Sequence, residues 1–477
     1  MTVVDIASGV AAGRLSAGAV LDRCAARHAE THAALNALVQ PRFAAAAAEA
    51  AAIDARPAGL LAGVPVSVKE CFPVVGLRTT LGIPTRCDAA DTADAEIVAR
   101  LRQAGAVIVG KANVPQAMFL HETDNPVWGR TNHPAAADRG PGGSSGGDAA
   151  LVAAGVVPLA VGNDLAGSLR QPAHACGIAA VMPRFTVLGN GGAVETLPGL
   201  TAIRPRAGFL ARAVADLGRA IEALGIEVGP VPARLRIGWW DDAGPVGASA
   251  AVRRAVTQAV VRLRAAGAEI VPLDGSLAVE AAWLHLAILG ADGGADIRRL
   301  LGPTRPIPGV DRLLRLARIS GVWRRGLATL ARLVGSRIES EALLRTGPRT
   351  ARELAALVAA REELRVRFTR LVSGCDAIVC PVSALPALRH GTAARLVLAA
   401  TPCFLANLLD LAAGAVPVTE VRPDEEAIRP RSVDPVLAAA VAADRGSRGL
   451  PVGVQVIAPP GGGEAVVLAT MAAIASG

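Results

Sequence analysis

The sequence predicts an α/β fold, on three observations. The stretches 63–69 (Gly63-Val-Pro-Val-Ser-Val-Lys69), 106–110 and 156–161 are short, apolar and rich in Val, the pattern of buried strands. Residues 95–103 between them have the spacing of a helix, with Asp94 placed to cap it. Strand–helix alternation along one stretch of chain is what a layered α/β core produces. The chain has 477 residues, 52% apolar and 19% charged, enough to bury a large interior.

The remaining elements follow in order. Residues 2–55 read as two or three helices, with the alanine-rich run 44–52 the firmest. The Gly-rich region 140–168 reads as loop, with a helix after Gly147. The pattern is mainly helical over 248–370. Strand character returns at 377–380 and 452–457, a last helix covers 464–474, and 423–431 reads as a charged surface loop. No repeat or linker composition divides the chain, so 1–477 is expected to be one domain. Its parts are N-terminal helices (1–60), a core (61–230), a mainly helical cap (248–370) and a C-terminal return to the core (371–477).

The formal net charge of +8 comes almost wholly from arginine: Lys69 and Lys111 are the only lysines against 47 arginines. The arginines are spread along the chain and there is no Tyr to stack on bases, which argues against nucleic acid as a partner. Lysine can lose its proton where arginine effectively cannot, so a general base needs lysine. The plain alternative is that two leftovers mean nothing. The seven cysteines form no C-x-x-C pair and do not cluster with His, so no metal is expected, and they read as reduced thiols in a cytoplasmic protein. Residues 1–10 lack a basic n-region, and apolar stretches such as 396–416 are interrupted by Pro402, Asn407 and Asp410, so neither a signal peptide nor a membrane span is expected.

Two local motifs carry chemistry. Gly142-Gly-Ser-Ser-Gly-Gly147 lets the backbone turn sharply and approach a ligand, although a flexible turn would look the same. No Gly-Lys-Ser/Thr follows, which disfavours a phosphate loop. In Gly162-Asn-Asp-Leu-Ala-Gly-Ser-Leu-Arg170 a serine follows a small-residue turn after an apolar strand, a good place for an exposed nucleophile beside backbone N–H groups. The histidines offer this serine no obvious partner, and a Ser-His-Asp triad is unsupported.

These two motifs, with Gly63-Val-Pro-Val-Ser-Val-Lys-Glu70, resemble the three catalytic blocks of the amidase signature family. The segments 208–216, 376–381 and 449–455 also resemble family segments, so the likeness covers nearly the whole chain. Lys69-Glu-Cys-Phe72, Asn113-Val-Pro-Gln116 and Val416-Pro-Val-Thr419 are similar to the subgroup around fatty acid amide hydrolase. The resemblance implies a mixed, mostly parallel sheet between helices and an amidohydrolase acting on linear amides without a cofactor. It implies Lys69 as base, Ser144 as bridging serine on a cis peptide and Ser168 as nucleophile. It also implies an oxyanion hole from the N–H groups of Leu165, Ala166, Gly167 and Ser168, and a substrate contact at the Met118 carbonyl. The chain departs from the family pattern at Asn163 (usually Thr), Ala166 (usually Gly), Asp148 (often Ser) and Met182-Pro-Arg184 (usually Lys-Pro-Thr). A positive φ required at position 166 would strain an alanine by roughly 1 kcal/mol.

The expected partner is a small-molecule amide, lipophilic or acyl. The alternatives are the glutaminase subunit of an amidotransferase and a catalytically silent binding protein on the same scaffold. A homodimer stays open. Residues 311–345 hold eight arginines beside an apolar rhythm of Leu316, Ile319, Trp323, Leu327, Leu330 and Val334, with Gly321 and Gly326 expected to divide two short helices. Either this stripe packs on the protein's own core, the commoner outcome, or it makes a peripheral membrane contact.

Overall fold

A computed structural model describes residues 1–241 and 244–477. Eleven strands form one sheet: β1 (Leu38–Pro41), β2 (Pro65–Lys69), β3 (Val107–Ala112), β4 (Leu159–Asp164), β5 (Ala179–Met182), β6 (Arg206–Ala211), β7 (Arg236–Trp239), β8 (Glu269–Pro272), β9 (Ala377–Pro381), β10 (Ala413–Glu420) and β11 (Pro451–Ile457). Their order is β1-β3-β2-β4-β6-β5-β10-β11-β9-β7-β8. Every residue of β2, β3, β4, β6 and β9 is buried. A strand buried on both faces needs cover on both sides and carries apolar residues continuously, which is why these segments read as Val-rich runs.

The single-domain α/β class agrees with the sequence, but the balance of the sheet differs from the expected one. The sets β3-β2-β4 and β9-β7-β8 are parallel, while the other six pairings among the described residues are antiparallel. The physical reason lies in the connections. Strand β11 returns antiparallel beside β10, and β6 fits between β4 and β5 antiparallel to both.

Three local expectations are also corrected. A short strand, β1, lies between the second and third N-terminal helices, pairing with β3 at the sheet edge. Asp94 does not cap the helix Glu96–Gln103, whose N-cap is Ala95; its carboxylate takes the Val75 N–H (2.9 Å) and Arg102 Nε (2.7 Å) instead. In the cap region the helices are Pro308–Arg318, Gly321–Leu333 and Arg337–Arg345. The break falls at the extended residues Ile319 and Ser320, and Gly326 lies inside a continuous helix.

The stripe on Gly321–Leu333 does not pack on the core. Trp323 is 72% exposed and Leu330 57%, whereas Arg324 is 5% exposed. Arg324 donates to the carbonyls of Leu316 (2.6 Å), Ile319 (2.8 Å), Leu343 (3.1 Å) and Thr346 (2.8 Å), tying the three helices together. These carbonyls lie at or just past helix C-terminal ends, where regular intrahelical pairing runs out, so the guanidinium turns inward and the apolar side chains turn out.

Candidate active site

Strands β2 and β4 are parallel neighbours, and both deliver polar groups at their C-terminal ends, the usual ligand side of such sheets. Lys69 is the last residue of β2 and is fully buried. Its Nζ lies 2.8 Å from Ser144 Oγ, 2.7 Å from Asn163 Oδ1 and 3.1 Å from Asn163 O. Ser144 follows a cis Gly143–Ser144 peptide and precedes the helix Gly146–Ala153. That helix comes in close: a Cβ on Gly147 would stand 2.4 Å from Asn113 N, so only glycine fits.

Ser168 lies between β4 and the helix Arg170–Cys176, and its carbonyl accepts the Ser145 N–H at 3.1 Å, joining the two serine loops. Ser144 and Ser168 line the same cavity. The 165–168 turn is organised by the buried Asp164. Its carboxylate accepts the N–H groups of Gly167 (2.6 Å) and Leu169 (3.1 Å) and pairs with Arg170. The Gly167 N–H is therefore already engaged, a correction to the implied oxyanion set; Leu165, Ala166 and Ser168 N–H have no partner among the described residues. Ala166 is not strained, because the positive φ of this turn (95°) falls on Gly167, where a Cβ would stand 2.8 Å from Cys403 Cβ. His121 Nε2 donates to the Ala166 carbonyl at 2.8 Å and fixes the turn from the other side. Met118 and Ala117 both take positive φ (53° and 55°), backbone strain of the kind that gathers at functional sites.

The surroundings of Lys69 act on its proton in both directions. Burial pulls the Lys69 pKa below its ordinary value, with the negative charges of Asp148 and Asp164 acting in the opposite direction. Burial pushes the Cys71 thiol up to about 12, so it stays neutral. Asp148 accepts from Ser67 Oγ (2.9 Å), while its Oδ2 is buried without a partner, and burial pushes its pKa up to about 7. The other lysine, Lys111, is also buried, and binds Arg78 O (2.9 Å), Thr79 Oγ1 (2.6 Å) and Asp91 (3.1 Å) as a structural clamp.

The structure thus brings Lys69, Ser144, Ser168, Met118, Leu165, Ala166 and Gly167 to one place. In the sequence, Asn163 and Asp148 stand out only as departures, and their contacts with Lys69 and Ser67 are missed. His121 is missed altogether, since no local spacing links position 121 to position 166.

The sequence pattern of the Amidase family matches residues 19–467. This chain belongs to the amidase family. It is 31% identical over 448 residues to fatty-acid amide hydrolase 1 of Sus scrofa, covering 86% of this amidase and 75% of that protein. It is 32% identical over 420 residues to a glutamyl-tRNA(Gln) amidotransferase subunit of Deinococcus deserti, covering 82% of each. A solved fatty acid amide hydrolase superposes with TM-score 0.85 at 21% identity, covering all of this amidase and 84% of that chain, a likeness of fold. This amidase is accordingly an amidohydrolase of the amidase signature type. No helix among the described residues is long and apolar enough to cross a membrane.

Proposed function

We propose that this amidase hydrolyses a lipophilic acyl amide through an acyl-enzyme on Ser168, with Ser144 and Lys69 completing the triad. The observation that carries the reading is the 2.8 Å contact of Lys69 Nζ with Ser144 Oγ beside a cavity shared with Ser168. In the neutral lysine, the two N–H groups serve Asn163 O and Oδ1, and the lone pair accepts the Ser144 hydroxyl proton. Lys69 takes that proton, Ser144 takes the proton of Ser168, and Ser168 Oγ bonds to the amide carbon. The carbonyl oxygen gains the negative charge beside the free N–H groups of Leu165, Ala166 and Ser168. Ser144 then protonates the nitrogen, the C–N bond breaks, and water releases the acid by the same route in reverse.

A second cavity, of about 260 Å³, also borders Ser168 and is walled by Phe119, Leu286, Leu289, Leu313, Leu316 and Phe404 among others. An apolar chamber of this kind suits an acyl chain and offers little to a glutamine side chain, which favours the acyl amide over the glutaminase alternative. The helix Pro308–Arg318 that lines it adjoins the exposed Trp323, Leu327 and Leu330, surrounded by exposed Arg315, Arg318, Arg325 and Arg332. Apolar side chains ringed by arginines fit an anionic lipid surface, from which a lipophilic substrate could enter.

The test of the triad is active-site labelling with a fluorophosphonate, together with hydrolysis of a panel of acyl amides. Wild type is expected to label and turn over, Ser168→Ala to do neither, and Lys69→Arg to lose roughly 10²–10⁴-fold in turnover because a guanidinium does not give up its proton. Near-normal turnover by Lys69→Arg would remove Lys69 as the base. A wild type that neither labels nor hydrolyses would point to the silent scaffold.

A further inference from the structure

The two cavities that meet at Ser168 are unlike. The larger is the apolar chamber. The smaller, of about 40 Å³, carries the polar groups of Ser144, Asn163, Ser168, Asn190, Glu195 and Thr196 on a wall that is otherwise apolar. Ser144 borders the smaller cavity and is missing from the wall of the larger. The group that protonates the departing nitrogen must stand on the nitrogen's side of the carbonyl carbon. In the mechanism proposed above that group is Ser144, so the amine departs into the smaller cavity while the acyl chain stays in the larger.

The size and chemistry of this cavity restrict the amine. At about 10–15 Å³ for each water-sized group, it has room for roughly three or four heavy atoms. Glu195 is the one charged side chain among its lining residues, and the carboxylate has no ion pair or hydrogen bond among the described residues. Asn190 accepts from Asn163 Nδ2 (3.0 Å), and its own Nδ2 is buried without a partner. A purely alkyl amine would leave the buried Asn190 amide unmet, which costs binding energy, while the exposed Glu195 carboxylate offers the cavity a solvated negative charge.

We infer that Glu195 sets the amine specificity of this enzyme, and that its preferred substrates are acyl amides of a small amine bearing a second, cationic amino group about two carbons away. The cation pairs with the Glu195 carboxylate, and an anionic amine such as glycine meets repulsion there. This rests on the amidase reading above, and the experiment separates the two.

One acyl chain is prepared as its N-propyl, N-(2-aminoethyl) and N-carboxymethyl amides. Hydrolysis is measured for wild type, Glu195→Gln and Glu195→Lys, with rates normalised to fluorophosphonate-labelled sites. In wild type the kcat/KM ratio of aminoethyl to carboxymethyl amide is expected to be roughly tenfold or more, carried mainly by KM. The ratio should fall towards one in Glu195→Gln and invert in Glu195→Lys. A wild-type ratio near one, or a ratio that neither variant changes, overturns the inference while leaving the amidase reading intact. If Glu195→Lys does not label, the wild-type ratio and the Gln variant decide. Failure of wild type to hydrolyse any of the three amides, despite labelling, counts against the acyl amidase reading itself and removes this inference with it.

Discussion

In the proposed triad Lys69 has to lose its proton near neutral pH, while Asp148, which shares its buried surroundings, acts to keep that proton in place. The ionised Asp148 favours the charged lysine, and burial opposes it. Replacing Asp148 by Asn removes the carboxylate and keeps a group able to accept from Ser67. The Lys69 pKa should then fall further, and since the neutral amine is the base, the acid limb of kcat/KM should move to lower pH. A pH–rate profile of Asp148→Asn checks this; a shift to higher pH would mean that Asp148 does not act on the base through its charge. These couplings separate what the sequence made legible from what it did not. Lys69, Ser144 and Ser168 stand in compact motifs whose glycines and strand ends are local properties. Asn163 and His121 make contacts with separate segments, and their side-chain types alone carry no signal of that.

At the scale of the element, the helix Gly321–Leu333 is the clearest case of a pattern that could be read and a direction that could not. Its apolar rhythm is plain in the sequence, yet amphipathicity does not say which face turns inward. Arg324 decides the matter, because it satisfies carbonyls at the C-terminal ends of the two flanking cap helices. Removing it should destabilise the cap by about 2–3 kcal/mol by stranding those acceptors. Trp323→Ala should change stability by less than about 0.5 kcal/mol, since the ring is exposed. The membrane reading makes a separate demand. Trp323→Ala and Arg325→Glu should each weaken co-sedimentation with anionic liposomes, with little binding to neutral liposomes in any variant. Equal and negligible binding of wild type to both lipids would leave the exposed face to another occupant, and sedimentation velocity would then show whether it is a second copy of the chain. The helix break falls beside Gly321, one of the two divisions expected from the sequence, whereas the edge strand β1 escaped it because pairing with β3, not its own composition, makes it a strand.

On the scale of the whole molecule, buried arginines hold the N-terminal and C-terminal contributions to the sheet together around the site. Arg139 donates to the carbonyls of Ala387 (2.6 Å), Ala443 (2.9 Å) and Arg445 (2.8 Å), and Arg206 to those of Ala406 (3.0 Å) and Leu411 (2.8 Å). Arg170 binds Cys403 O (3.0 Å), Gln455 Oε1 (2.9 Å) and Asn407 Oδ1 (2.5 Å), and pairs with Asp164, which holds the turn bearing Ser168. The turn that bears Ser168 is thus tied to chain more than 200 residues away, and the candidate site and global stability share one ion pair. Burial alone would raise the Asp164 pKa, but the Arg170 charge and the hydrogen bonds it accepts outweigh burial and hold it below its ordinary value of 3.8. A carboxyl depressed in the folded state contributes stability that is full above its unfolded pKa and is lost as pH falls through the folded one. Wild type should therefore lose part of its unfolding free energy as pH drops below about 4. Asp164→Asn should lack that share of the loss and be less stable at pH 7 by about 3–5 kcal/mol, because Arg170 is left buried and unpaired. Its labelling at Ser168 should fall as well, since the turn loses its anchor. Denaturant unfolding of both proteins between pH 3 and 8, with labelling run in parallel, checks the argument; an Asp164→Asn protein as stable as wild type at pH 7 would show that the tie between the two halves lies elsewhere.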